Sequence, residues 1–325
     1  MRFRVCEDHC ATARALHLRA ADIYQQTGDQ VGRANALNGL GRVAVATGDC
    51  LAAGEHYRAA LAVCQQTGNR DGEAVALSGL GGVARLAGDY PAAAEQYRHV
   101  LAIYQQAGNQ PGEAAVLTGL GHVARLTGEY PIATEHYRAA LAIYQQTGNQ
   151  DGEAKALTGL GAVARITGNS PVGAEHYRRA LAIYKQTGSR LKEAYALTGL
   201  GDTALAAGDY PTARERYSTA LATYQQTGNQ AGQAHALTGL GHALRFNGEC
   251  PTAKEHYRTA LAICQQTGNR AGEAAALTGL GHAARTEGQY EVARERWQSA
   301  LAIAAEIGSP LAESVRQVLD ELVQE

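Results

Sequence analysis

Apolar and small residues recur along this chain with helical spacing. In residues 111–130, Leu117, Leu120, Gly121 and Ala124 lie at positions i, i+3, i+4 and i+7, which places them on one face of an α-helix. The next twenty residues place a second set on one helical face: Ala133, Tyr137, Ala140, Leu141 and Tyr144. The pattern therefore predicts two helices within these 40 residues.

The residues between the two predicted helices indicate a tight turn. Gly128 follows the last periodic residue of the first helix and suits the left-handed conformation that ends a helix. Pro131 lies in the first turn of the second helix, where a missing N–H has little cost. Glu129 is a weaker N-cap than Asp89 or Asp209, which occupy the same site in other units. We therefore expect two antiparallel helices joined by a short turn.

The same unit recurs throughout the chain at a constant period of 40 residues. Gly-Leu-Gly occurs seven times, at 39–41, 79–81, 119–121, 159–161, 199–201, 239–241 and 279–281. An aromatic residue keeps the same period: Tyr57, Tyr97, Tyr137, Tyr177, Tyr217, Tyr257 and Trp297. A fixed period between about 20 and 50 residues indicates a stack of repeats that share a continuous core. Gly41 and its equivalents are expected where two backbones approach closely, whereas the pattern gives no role to Gly39 and its equivalents.

These motifs resemble the tetratricopeptide repeat (TPR). The resemblance is carried by Leu120-Gly121, by Gly88-Asp89-Tyr90, and by Ala133-x-x-x-Tyr137-x-x-Ala140-Leu141. The 40-residue unit is similar to the longer repeats of the spindle scaffold LGN, of kinesin light chains, and of arrays in actinobacterial transcriptional regulators. The resemblance implies an all-α, right-handed α-solenoid, a TPR superhelix of seven helix-turn-helix repeats with capping helices. It also implies a bacterial protein that mediates protein–protein interaction.

The repeat boundaries predict a single solenoid over residues 1–325. Residues 1–30 form an N-terminal capping helix, in which His17 replaces the repeated tyrosine, and residues 31–308 form seven repeats. Residues 309–325 form a C-terminal capping helix. Its apolar residues, Leu311, Val315, Leu319 and Leu322, are expected to face the array, and its charged residues to face water.

Composition and charge narrow the function classes. The chain has 29 basic and 31 acidic residues, a formal net charge of −2, which argues against general binding to nucleic acid or to a membrane surface. The sequence shows no secretory signal and no apolar run of the ~18 residues that a membrane span requires. Six cysteines are too few for a disulfide scaffold. We expect a soluble cytoplasmic protein.

Motifs for chemistry are missing from the sequence. It contains no phosphate-binding loop, zinc-protease motif, nucleophile elbow or calcium loop, so we expect no cofactor and no catalytic residue. Cys50, Cys64, Cys250 and Cys264 occupy positions that are tyrosine in most other units, which indicates packing. Cys6, His9 and Cys10 fall on one helical face but make an incomplete metal site. The repeated His56, His136, His176 and His256 are expected to be exposed helix residues.

A stripe on the first helix of each unit, one step round from the core, is the candidate binding site. In the resembled family this face lines the concave inner surface, where peptides bind. Arginine occurs at one position of the stripe in five of seven units, flanked by a Thr/Ser row and three histidines. The candidate ligand-binding residues are Arg42, Arg85, His122, Arg125, Lys155, Arg165, Tyr195, His235, His242, Arg245, Phe246, His282 and Arg285.

Arginine offers a planar fork that matches a carboxylate, and threonine can bond a ligand backbone. We therefore expect a non-catalytic scaffold that binds an acidic protein or peptide, with Tyr195 and Phe246 as apolar anchors. Three or four arginines would support roughly micromolar binding, weakened by salt. If His122, His242 and His282 titrate near neutrality, binding is tighter at pH 6 than at pH 8.

Other interpretations stay open at this stage. The arginine row can also be solvated surface, or pair with acids of adjacent units. The array can belong to a transcriptional regulator and sense a peptide or small molecule, or it can be an enzyme that uses histidine, arginine and Asp202 for acid–base chemistry. Nucleic-acid binding is disfavoured by the neutral charge. The sequence defines neither the ligand nor the oligomeric state.

Overall fold

The computed structural model describes the backbone of residues 2–324 and the side chains of residues 10–322. The described chain consists of sixteen α-helices with no strand. The helices are α1 (Arg2–Thr27), α2 (Gln30–Ala46), α3 (Cys50–Thr67), α4 (Arg70–Leu86), α5 (Tyr90–Ala107), α6 (Gln110–Leu126), α7 (Tyr130–Gln146), α8 (Gln150–Ile166), α9 (Ser170–Gln186), α10 (Arg190–Ala206), α11 (Tyr210–Thr227), α12 (Gln230–Phe246), α13 (Cys250–Thr267), α14 (Arg270–Thr286), α15 (Tyr290–Glu306) and α16 (Leu311–Gln324). Between residues 2 and 324, no helix has the length and apolar character needed to cross a bilayer.

The helices group into two compact units, Met1–Gly159 (unit 1) and Leu160–Glu325 (unit 2). Within each unit, helices that follow one another in the chain pack together, as α2 with α3 and α10 with α11 do. The first helices of adjacent repeats also contact each other, as α2 with α4 and α12 with α14 do. The predicted helix-turn-helix repeats are therefore confirmed in both units.

Glycine ends every helix that is followed by another in the described chain. Each of the fifteen turns contains a glycine with φ between 63° and 84°, a conformation that residues with a Cβ rarely adopt. In most turns the next residue caps the following helix with its side chain, as where the Asp89 carboxylate accepts a hydrogen bond from the Ala92 N–H. Glu129 makes no such bond, which agrees with its expected weakness as a cap.

The repeated tyrosine ring lies between two glycines, one from its own repeat and one from the next. A Cβ added at Gly41 would lie 2.7 Å from the Tyr57 ring, and one added at Gly79 would lie 2.4 Å from the same ring. Tyr217 has the same relationship to Gly201 and Gly239. The expectation that Gly41 allows two backbones to meet is therefore wrong, because the close neighbour is an aromatic side chain. The first glycine of Gly-Leu-Gly also has its explanation, since it accommodates the ring of the preceding repeat.

A second row of side chains packs in the same way nearer the helix ends. A Cβ at Gly152 would lie 2.3 Å from the Tyr144 ring, and one at Gly72 would lie 2.6 Å from the Cys64 sulfur. Cys64 and Cys264 are completely buried. The five described cysteines are free thiols. Cys250 is also buried, so the prediction that the repeated cysteines serve packing is confirmed for Cys64, Cys250 and Cys264, whereas Cys50 is partly exposed.

The helices at the two ends follow the expected cap pattern. In α1, His17 fills the ring position and lies 2.4 Å from where a Cβ of Gly39 would be. In α16, Val315 and Leu322 are buried against α15, and Leu311 and Leu319 are partly buried there. Glu313, Arg316, Asp320 and Glu321 are exposed, so α16 turns a polar face to solvent.

Candidate functional site

The candidate residues lie on the first helices of the repeats, and we call this surface the first-helix face of each unit. In unit 1 it comprises Arg42 on α2, Arg85 on α4, His122 and Arg125 on α6, and Lys155 on α8. In unit 2 it comprises Arg165, Tyr195, Asp202, His235, His242, Arg245, Phe246, His282 and Arg285, on α8, α10, α12 and α14. The structure brings some of these residues into contact and separates others.

In unit 1, His122 lies at the centre of a basic cluster. Its Nδ1 is 2.9 Å from the hydroxyl of Tyr137, the core tyrosine fifteen residues later. Burial, with smaller contributions from Arg125 and Arg85, lowers the pKa of His122 from 6.5 to about 4. The imidazole is therefore neutral at pH 7. No ion pair to Arg85 or Arg125 forms among the residues that the structure describes, so both guanidinium groups lack a carboxylate partner within unit 1.

Two other predicted residues of unit 1 do not join this cluster. Lys155 forms an ion pair with Asp151 on its own helix, with Nζ 2.7 Å from Oδ2. Both side chains are well exposed, so this pair is ordinary helix-surface support. Arg42 is exposed and lies near Tyr57: burial raises the pKa of that tyrosine, and the Arg42 charge partly offsets the rise.

In unit 2, Asp202 organises a separate cluster. Its Oδ1 accepts a hydrogen bond from the Tyr217 hydroxyl at 2.7 Å and lies 3.2 Å from His235 Nε2. Its Oδ2 is 4.0 Å from Nε of Arg165. Burial alone would raise the pKa of Asp202, but the contacts with His235, Arg165 and Tyr217 together lower it. The hydrogen bond to Asp202 in turn raises the pKa of His235.

A second cluster in unit 2 surrounds Arg245. His242 Nδ1 is 2.8 Å from the hydroxyl of Tyr257, which repeats the geometry of His122 and Tyr137. Burial lowers the pKa of both His242 and His282 to about 4, and the Arg245 charge adds to the effect at each. Nε of Arg245 is buried without a hydrogen-bond partner. No carboxylate pairs with this guanidinium among the described residues of unit 2.

Arg285 differs from Arg245 because an acid lies close to it. Its Nη1 is 3.7 Å from Glu321 on α16. His282 on the same helix contacts the Trp297 ring edge-on, with ring centroids 5.2 Å apart. The charge of Arg285 is therefore partly compensated within unit 2.

The two predicted apolar anchors are both accessible. Phe246 is 50% exposed and stacks on Tyr210, with ring centroids 5.1 Å apart and planes 9° from parallel. The Arg245 guanidinium carbon lies 4.0 Å above the Phe246 ring. Tyr195 is 48% exposed, and its hydroxyl accepts a hydrogen bond from Asn229 at 2.8 Å. Phe246 therefore belongs to the Arg245 cluster, whereas Tyr195 lies on the helix that carries Asp202.

The threonine row does not offer free donors to a ligand. The Thr118 and Thr198 hydroxyls donate to the carbonyls of Ala114 and Ala194 in their own helices. Both side chains are buried, and Thr198 also lies 3.0 Å from the Tyr224 hydroxyl. The expectation that this row bonds a ligand backbone is wrong at these two positions, because the hydroxyls serve the helix and the core.

Several other predictions about histidine and cysteine can be compared with the structure. His56, His136, His176 and His256 are half-buried rather than exposed. Burial lowers the pKa of His136 and of His256. The preceding glutamate partly offsets the fall in each case, and the charge of an arginine on the preceding second helix, Arg98 or Arg214, adds to it. Cys6 and His9 lie outside the residues whose side chains are described. Among the described residues, no group of three metal-ligating side chains comes together.

Sequence reasoning missed the role of the core tyrosine hydroxyls. In three repeats the hydroxyl contacts the residue that directly follows Gly-Leu-Gly, namely His122, Asp202 or His242. The constant separation of fifteen residues between the two positions was visible in the sequence. This separation was the available sign that the residue after Gly-Leu-Gly contacts the core tyrosine as well as the surface.

A profile of the tetratricopeptide repeat matches residues 32–106, 112–186, 152–226 and 232–306, which together make up well over half of the chain. The chain belongs to the tetratricopeptide repeat family. TPR folds are generally non-catalytic and typically mediate protein–protein interaction. No curated protein sequence matches the chain significantly.

Solved structures support the TPR fold. A tetratricopeptide repeat protein from Parabacteroides merdae aligns with a TM-score of 0.62 and 15% identity, over 90% of this chain and 99% of that one. BtubC (BKLC) from P. vanneervenii aligns with a TM-score of 0.58 and 20% identity, over 67% and 92%. A Rap protein complexed with competence and sporulation factor aligns with a TM-score of 0.65 and 12% identity, over 98% of both chains. At these identities the likeness concerns the TPR fold alone.

Proposed function

We propose that this protein is a non-catalytic TPR scaffold whose first-helix face binds a polypeptide bearing carboxylate groups. The observation that carries the proposal is the state of Arg245. Nε of Arg245, like that of Arg165, is buried without a hydrogen-bond partner, and the Arg245 guanidinium lies near the Tyr257 hydroxyl and over the exposed Phe246 ring. Unlike Arg165, Arg245 has no carboxylate within ion-pair distance among the described residues. Partial burial of a cation without a counter-ion costs free energy. A carboxylate supplied by a partner would offset this cost by forming an ion pair with Arg245.

The cluster in unit 1 supports the same chemistry. Arg85 and Arg125 flank His122, and neither has a carboxylate partner within the described part of unit 1. The neutral imidazole adds no charge of its own. If the Tyr137 hydroxyl donates to Nδ1, the imidazole carries its proton on Nε2, which can donate to an anion. Each unit therefore holds an arginine and a neutral histidine side by side.

The proposal uses fewer arginines than the row predicted from the sequence. Arg165 faces Asp202 and Arg285 faces Glu321, so neither offers an uncompensated charge. The proposed ligand-binding residues are Arg85, His122 and Arg125 in unit 1, and His242, Arg245 and Phe246 in unit 2. With two strong contacts of ~1.5–3 kcal/mol each plus an apolar anchor, micromolar affinity, about −8 kcal/mol, is the expected range.

The structures with the same fold are consistent with a binding role. The Rap protein is found in complex with competence and sporulation factor, so an array of this fold and length can hold a partner. The cluster of Asp202, Tyr217 and His235 contains groups used in acid–base catalysis. Its carboxylate is already engaged by three neighbours, which favours a structural and electrostatic role over catalysis.

The proposal is tested with fluorescein-labelled nine-residue peptides that carry one glutamate in a neutral Ala/Ser/Leu background. The matched peptide carries glutamine at the same position. We expect micromolar binding of the glutamate peptides and at least tenfold weaker binding of the glutamine peptides. Arg245→Gln should reduce binding of the glutamate peptides about tenfold, and Arg85→Gln/Arg125→Gln should reduce any binding at unit 1.

Arg294→Gln is the matched control, because Arg294 lies on a second helix and pairs with Glu291. This variant should bind as the wild type does. Equal affinity for the glutamate and glutamine peptides, or equal loss in Arg294→Gln and Arg245→Gln, would contradict the proposal.

A further inference from the structure

The position that directly follows Gly-Leu-Gly is acidic in one repeat only. The seven residues at this position are Arg42, Gly82, His122, Ala162, Asp202, His242 and His282. Since glycine and alanine also occur there, the packing of the repeat does not require an acid. Since histidine holds the same tyrosine hydroxyl in two other repeats, that hydrogen bond does not require one either.

Asp202 lies among groups that would otherwise attract an anion. Its two oxygens face Tyr217, His235 and Arg165 at 2.7, 3.2 and 4.0 Å, and its side chain is only 18% exposed. The same combination of an arginine and a histidine, without a carboxylate, occurs at Arg245 with His242 and at Arg125 with His122. The carboxylate of Asp202 therefore occupies, from within the chain, the kind of place that a partner's carboxylate would take.

We propose that Asp202 is a specificity-determining residue of the first-helix face of unit 2. It neutralises Arg165 and His235 and repels a second carboxylate, so that a partner can place an acidic residue at Arg245 but not at α10. Specificity commonly combines an attractive contact with a repulsive one against the wrong partner. The inference rests on the proposed binding of carboxylate-bearing polypeptides.

The spacing of helices α10 and α12 predicts the spacing of the contacting residues along a bound extended peptide. Helices α10 and α12 are neighbours in contact, and packed helices have axes roughly 8–10 Å apart. An extended peptide advances about 3.3 Å per residue, so about three residues separate the two positions. The expected partner has an acidic residue at Arg245 and, three residues away, an uncharged residue beside Asp202.

The experiment compares mono-acidic peptides with di-acidic peptides whose second glutamate is three residues away, on either side. Wild-type protein should bind the di-acidic peptides no more tightly than the mono-acidic ones. In Asp202→His, which copies the residue at 122 and 242, the ratio of di-acidic to mono-acidic affinity should rise on the order of tenfold for one of the di-acidic peptides. Asp202→Asn tests the same point without introducing a titratable group.

Two further variants make the result decisive. Adding Arg165→Gln to Asp202→His should remove the increase in affinity for the di-acidic peptide. The reason is that replacing Asp202 leaves Arg165 without its carboxylate partner and so able to bind the second glutamate. Circular dichroism and thermal unfolding confirm that each variant is folded before it is compared. If Asp202→His and Asp202→Asn both bind the di-acidic peptides no better than wild type, Asp202 does not set specificity. If Arg245→Gln also leaves mono-acidic binding intact, the proposed function itself is wrong.

Discussion

The hydroxyl of Tyr257 lies 2.8 Å from Nδ1 of His242, and the ring of the same tyrosine lies against Gly241 and Gly279. One residue therefore links the packing of the repeat to the chemistry of the first-helix face. The burial that accompanies this contact keeps His242 neutral, with a pKa of about 4. His122 and His282 are neutral for the same reason.

The three neutral histidines should make the protein less stable in mild acid. Their pKa falls from 6.5 in the unfolded chain to about 4 in the folded one, so the unfolded chain binds protons first as the pH drops. The free energy of unfolding should therefore fall between pH 6.5 and pH 4, by about 1–2 kcal/mol per histidine from pH 7 to pH 5. Urea unfolding at the two pH values measures the change.

His242→Asn is the comparison that isolates this effect from the titration of carboxylates. The variant should lose roughly a third of the histidine contribution to the pH dependence. An unchanged slope in the variant would show that His242 has a similar pKa in both states.

Binding of a mono-acidic peptide should be nearly independent of pH between 6 and 8. The sequence predicted tighter binding at pH 6, on the basis that His122, His242 and His282 titrate near neutrality. The structure corrects this expectation, because burial and neighbouring arginines lower the pKa of all three to about 4. Fluorescence anisotropy at pH 6 and pH 8 should give dissociation constants within twofold of each other, and a gain of fivefold or more at pH 6 would mean that these histidines become charged.

Two glycines on α4 should respond to alanine in opposite directions. At Gly79 an added Cβ would lie 2.4 Å from the Tyr57 ring, whereas at Gly82 the nearest atom would be 3.9 Å away. We expect Gly79→Ala to destabilise the protein by about 1–3 kcal/mol through overpacking. Gly82→Ala should stabilise it by up to about 1 kcal/mol, because alanine has the higher helix propensity. Chemical unfolding of both variants checks the difference, and similar changes in the two would refute the ring–glycine contact.

The cysteines should separate into two classes of reactivity. Cys64 and Cys264 are completely buried, and burial, together with Glu73 and Glu273 respectively, raises the pKa of each thiol. Cys10 and Cys50 are partly exposed. In native protein a maleimide should label Cys10 and Cys50 within minutes, and label Cys64 and Cys264 only after unfolding. Peptide mass spectrometry reads the labelled sites, and rapid native labelling of Cys64 would contradict the packing.

The sequence predicted the helices well because their signals are local. Gly128 and Asp89 mark helix ends through backbone conformation and capping, and these effects do not depend on distant residues. A spacing of three and four residues also places Arg245 and its sequence neighbours His242 and Thr238 on one side of a helix. Periodicity gives no information about which ionisable groups are paired or buried. The contact between Asp202 and Arg165 and the neutrality of His242 both depend on neighbouring helices, and the structure was needed to find them.

The ring of Tyr57 lies between Gly41 of its own repeat and Gly79 of the next. Gly79 is the first glycine of its Gly-Leu-Gly and lies 40 residues after the corresponding Gly39. The contact between two successive repeats is thus made of the same parts each time: a tyrosine ring and a glycine from one repeat, and a glycine from the next. A whole 40-residue segment inserted or deleted between the repeats of Tyr57 and Tyr257 would therefore still leave each tyrosine ring between two glycines. An array built in this way can change its length by duplication or loss of units, and each added unit brings a new position for a histidine, an aspartate or an arginine on the first-helix face.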